Sequence, residues 1–100
     1  MDHGEFKSTL KQDAPPEGLG VALQALWHQA KGDWAAAHKL SQSVRSEDGA
    51  WVHAYLHRIE GDFPNADYWY KRAGKSRSTL SLEKEWSEIA GALLSRRGTR

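Results

Sequence analysis

A chain of 100 residues with 39% hydrophobic and 27% charged side chains is sized and composed for one folded domain. It contains no cysteine, which excludes disulfides, thiolate catalysis and cysteine-ligated zinc. Its net charge of +1 gives no general attraction to nucleic acid, and no apolar run reaches the length of a membrane span.

Residues 1–16 are polar, mixed in charge and end in Asp13-Ala14-Pro15-Pro16. Proline and the residue before it both disfavour helix, so this stretch is expected to be a flexible arm. Phe6 and Leu10 stand at helical spacing, which leaves a docked arm open. The start has neither a basic region nor an apolar stretch of the signal-peptide kind, so a cytoplasmic location is expected.

A first helix is predicted from Glu17 to Lys31, with Leu19, Leu23, Leu26 and Ala30 on one stripe. Gly32 follows as a helix-ending glycine, and Asp33 can cap the next helix. The second helix runs from Trp34 to about Arg45, with Ala36, Ala37, Leu40 and Val44 inward. Ser46-Glu47-Asp48-Gly49 links it to a third helix over about Ala50–Glu60, whose apolar side carries Trp51, Val52, Tyr55, Leu56 and Ile59. Gly61-Asp62 makes a second tight turn, and Pro64 suits the first turn of a fourth helix ending near Ala73. Residues 74–79 are a polar linker. Ser81 caps a fifth helix over about 82–95, striped by Leu82, Trp86, Ile89, Ala90, Leu93 and Leu94. A basic tail, 96–100, closes the chain. The expected fold is all-α with about five helices, and the helical domain spans residues 17–95.

The chain repeats itself. Gly32-Asp33-Trp34 with Ala37 recurs as Gly61-Asp62-Phe63 with Ala66, an offset of 29 residues, and Ala25 and His28 match Ala54 and His57. Self-similarity at this period marks stacked supersecondary units. The pattern Ala54, Gly61-Asp62-Phe63, Ala66, Ala73 resembles a tetratricopeptide repeat, and Ala25, Gly32-Asp33-Trp34, Ala37, Val44 follows the same frame. The resemblance covers about residues 19–75. It departs from the family in its offset, 29 residues here against about 34, and in Gln24 and His53, which stand where the family has a large apolar residue. It implies two helix-turn-helix repeats, with the fifth helix as a cap over the second.

The same resemblance implies a concave, peptide-holding groove. It places Trp51, Tyr55 and Arg58 of the second repeat there, with Leu26 and Gln29 of the first. Aromatics beside arginine suit an extended peptide or its terminal carboxylate; equally, Trp51 and Tyr55 share an apolar stripe that reads as core. Tyr68 faces away from Trp69 and stands one turn before Arg72. That pair can grip a partner or simply form a cation–π contact. Lys71, Arg72, Lys75 and Arg77 form a basic cluster that reads better as a solvated helix end than as a nucleic-acid patch.

His53 and His57 stand at i, i+4 with Glu60 on the same face, and His28 is the repeat counterpart of His57. Two imidazoles and a carboxylate are a divalent-metal ligand set by type and spacing. The residue after His53 is Ala54, so the zinc-protease motif and its general base are missing. The plainer reading is hydrogen-bonded packing histidines. The helical wheel turns His53, His57 and Glu60 outward, whereas the repeat frame turns them toward the fourth helix, and partial burial is expected. Function therefore reads first as a non-catalytic scaffold for a protein or peptide without a cofactor. A histidine metal site or a homodimer that completes the stack are the alternatives.

Overall fold

The computed structural model describes residues 1–98, and among these the fold is all-α. Six helices follow in order: α1 (His3–Ser8), α2 (Val21–Ala30), α3 (Trp34–Gln42), α4 (Glu47–Glu60), α5 (Phe63–Arg72) and α6 (Leu82–Gly98), with a short 3-10 turn at Thr9–Lys11. One helix more than expected is present, and it lies inside the supposed arm. The expected tail is split: α6 continues to Gly98, and residues 99–100 lie outside the described residues. Among the described residues no helix is long and apolar enough to cross a membrane.

The two Gly-Asp turns are built alike. Gly32 and Gly61 sit at φ +87° and +79°, a backbone region that other residues adopt only with strain. The Gly32 amide donates to Gln29 and the Asp33 amide to His28; Gly61 donates to Arg58 and Asp62 to His57. These are Schellman closures that satisfy the last carbonyls of each helix. The Asp33 carboxylate then accepts from the Ala36 amide at 3.0 Å and Asp62 from Asn65 at 3.4 Å, each capping the helix that follows. Two tight helical hairpins result, α2 on α3 and α4 on α5, and α3 packs on α4 to join them.

Three further helix ends differ from expectation, each for a local reason. α2 starts at Val21 rather than Glu17 because Gly18 turns the chain at φ +83° and Gly20 is extended. α3 stops at Gln42, where the Ser43 hydroxyl and amide both donate to the Leu40 carbonyl. α4 starts three residues early because Ser46 caps it, accepting from the Gly49 amide at 3.1 Å. Gly49 is helical, and a Cβ there would stand 2.8 Å from the Val44 carbonyl oxygen.

α1 and α6 close the other side. The N-terminal residues dock: Asp2 and Glu5 form a reciprocal capping box, and Phe6 is fully buried, stacked on Trp86 at 5.5 Å. The Thr9 hydroxyl accepts from the Trp27 indole N–H, and Lys31 donates to the carbonyls of Leu10 and Gln12. α6 packs on α4, α2 and α1, not on the second hairpin alone. Its Trp86 indole donates to the Leu26 carbonyl at 3.1 Å. The core thus lies between α2, α4 and α6, with Leu23, Leu26, Trp27, Val52, Leu56, Ile89 and Ala90 nearly or wholly buried.

Candidate functional site

On the inner side of α4 two small pockets of about 370 and 360 Å³ remain beside α6, one bordered by Trp51 and Glu85, the other by Gln29, Tyr55 and Trp86. Trp51 and Tyr55 are buried, and the Tyr55 hydroxyl donates to the Leu82 carbonyl at 2.9 Å. Arg58 donates to Glu85 at 2.6 Å and also bonds the Leu80 carbonyl. Glu85 is fully buried on α6, and both its oxygens accept from the Tyr70 hydroxyl, at 2.9 and 2.6 Å. Burial and this carboxylate push the Tyr70 phenol well above its ordinary range. α6 therefore occupies the face that the tetratricopeptide resemblance assigns to a peptide, and Leu26 is likewise enclosed. Glu85 carries no sequence motif. The signal for it is positional: it stands three residues after Leu82 and four before Ile89, on the apolar stripe.

Tyr68 and Arg72 are exposed on α5, with the guanidinium 5.7 Å from the phenol ring and 5.4 Å from the Trp69 ring. Of the basic cluster, Arg77 forms a two-pronged pair with Asp67, whose carboxyl it holds below the usual range by hydrogen bonding. Lys75 sits over the Trp51 ring at 4.0 Å. Arg72 instead borders a groove of about 710 Å³ where the end of α3, the α3–α4 link and α5 meet. Ser41, Val44, Arg45, Glu47 and Trp69 also line it.

On the far side of Trp69 the histidines gather. His53 stacks on the Trp69 indole at 3.9 Å and on His57 at 4.9 Å. Both are buried, which settles the conflict between wheel and repeat frame in favour of burial. Their third partner is His38 of α3, not His28. The His38 ring meets His53 and His57 edge-on at 4.6 and 5.2 Å, and its Nε2 lies 3.0 Å from the His53 Nε2. His28 instead sets its ring edge-on to Trp27, outside the cluster. The His57 Nδ1 bonds the exposed Glu60 carboxylate at 2.9 Å. His38 escaped the repeat comparison because its counterpart is Asp67. A helical stripe, Trp34-His38-Ser41, was its signal: Trp34 stacks on His38 at 4.8 Å and its indole donates to Leu56 of α4.

Burial, aided by the charges of His38 and His57, lowers His53 from 6.5 to about 4. The unfolded chain takes up this proton near its ordinary pKa while the folded chain refuses it. Stability is therefore fully present above pH 6.5 and falls as pH drops toward 4. The metal-free protein is expected to lose about 2 kcal/mol between pH 7 and pH 5 from this group. Thermal melts across that range check it: His53→Phe, which keeps the stack on Trp69, should flatten the profile, and a parallel profile would refute the assignment.

No family model, curated protein or solved structure matches the chain. The site's own geometry therefore carries the functional reading.

Proposed function

We propose that the chain is a non-catalytic helical-repeat scaffold, tetratricopeptide-like in organisation, that holds an acidic protein segment. The observation that supports this reading is the groove between α3, the α3–α4 link and α5. Its lining includes the half-buried Trp69 indole and two exposed arginines, Arg45 and Arg72, the latter 5.4 Å from the Trp69 ring. An indole buries apolar area at low entropy cost, and arginine pairs with carboxylates through two parallel donors. Glu47 adds one acidic group to the lining. Tyr68, exposed beside Arg72, extends the surface along α5. The peptide site moves from the inner side of α4 to this outer groove because α6 covers the inner one.

Selection from a displayed library of random peptides tests the reading. Enriched sequences are expected to pair acidic residues with a large apolar one. The double variant Arg45→Glu/Arg72→Glu should weaken their binding at least about tenfold, the equivalent of 1.4 kcal/mol. Peptides without excess acidity, or peptides held equally by the variant, would overturn it.

A further inference from the structure

We propose that His38, His53 and His57 form a binding site for one divalent transition-metal ion of the zinc–cobalt class, with Glu60 orienting His57 from behind. The three rings come from two helices that are already locked together. His53 and His57 are one turn apart on α4, and His38 is carried across by α3, which is pinned to α4 through the Trp34 indole. One nitrogen from each ring can be chosen so that all three lie within 4.8 Å of one another. A tetrahedral ion with bonds of about 2.0–2.1 Å holds its donors about 3.4 Å apart, so closure needs the rings to move inward by on the order of 1 Å.

Two features beyond proximity point to a cation. First, the His57 Nδ1 is engaged by Glu60 at 2.9 Å, which places the ring proton there and leaves Nε2 as a lone-pair donor. A carboxylate behind a ligating imidazole is the usual means of fixing its tautomer. Second, the imidazoles of His38 and His53 face each other Nε2 to Nε2 at 3.0 Å. Two neutral rings in that pose can share only one proton. Among the described residues the buried His53 Nδ1 has no hydrogen-bond partner, so they leave this cluster incompletely satisfied. A metal ion accepts lone pairs from facing imidazoles at once and removes the competition between them.

The donor set selects the ion. All three ligands are imidazole nitrogens, with no thiolate or main-chain oxygen, which suits zinc, cobalt or nickel and disfavours calcium or magnesium. Three neutral ligands leave a fourth position for water or for a donor from a partner. The cluster is reached from the surface through half-buried His38 and exposed Glu60. Trp69 separates it from the groove described above, but the two proposals stand on different atoms.

The test uses untagged protein stripped with chelator, titrated at pH 7.5 with Zn²⁺ by calorimetry and with Co²⁺ by visible absorption. One Zn²⁺ per chain and an intense tetrahedral Co²⁺ spectrum are expected. His38→Ala should weaken Zn²⁺ binding at least 100-fold, Glu60→Gln by about 10–100-fold, and His28→Ala not at all. Circular dichroism confirms that each variant is folded; if His38→Ala is not, the wild-type Co²⁺ spectrum and the Glu60→Gln titration decide. A wild type without saturable binding or a tetrahedral spectrum overturns the proposal. So does a folded His38→Ala variant with undiminished affinity, or a His28→Ala variant with lost affinity.

Discussion

Arg58→Ala is expected to destabilise the protein by about 3–5 kcal/mol, because it leaves the Glu85 carboxylate charged and buried without its counter-ion. Glu85 has no exposed surface, and its remaining side-chain partner among the described residues is the Tyr70 hydroxyl. At about 4–8 °C per kcal/mol, the melting temperature of a domain this size should fall by more than about 12 °C. The loss belongs to the orphaned charge, not to the missing attraction. Adding Glu85→Gln should therefore recover much of it, since a neutral amide is cheaper to bury and its carbonyl still accepts from Tyr70. A single variant that melts within a few degrees of wild type would show that water reaches Glu85. A double variant no better than the single would show that Arg58 acts through packing of its stem. The same comparison tests the position of α6, because Arg58 and Glu85 join α4 to α6 and Tyr70 brings in α5.

This triad shows what the sequence makes legible and what it hides. The Gly-Asp turns could be read directly because each is a local device: a positive-φ glycine and a capping carboxylate act within six residues of chain. The apolar stripe of α6 was equally plain. Glu85 and His38 were not, because a polar residue turns inward only where a partner on another element satisfies it. Arg58 and Tyr70 are that partner for Glu85, and His53 for His38. Arg58 and Tyr55, read from the sequence as groove residues, are instead bonded to Glu85 and Leu82 of α6, a second long-range contact of the same kind. Their surface is defined by where α6 lies, and the turn-poor stretch 74–81 does not say which side of the hairpins α6 will cover. The histidine pair on α4 was visible from its i, i+4 spacing, but the third ring was assigned by repeat symmetry to His28. The chain breaks that symmetry, since it has histidine at position 38 and aspartate at position 67.

The N-terminal segment gives the second large effect. Phe6→Ala is expected to cost about 3–5 kcal/mol, the range for removing a fully buried aromatic ring from a core that cannot collapse around the gap. Phe6 is 0% exposed and lies nearly parallel to the Trp86 indole, 18° apart. Trp86 is itself held by its bond to the Leu26 carbonyl, and the far end of the segment is tied by Thr9 and Lys31. Neither wall can therefore move into the cavity without breaking a hydrogen bond. A flexible arm would make the opposite prediction, with no change in melting temperature. Phe63→Ala is the matched control: that ring is 42% exposed on α5 beside Arg77, and its loss should cost under about 1 kcal/mol. Denaturant melts of both variants decide the matter. Equal midpoints would release the arm from the core, whereas a large drop for Phe6 alone makes the first helix part of the fold that positions α6 and, through α6, closes the inner face of α4.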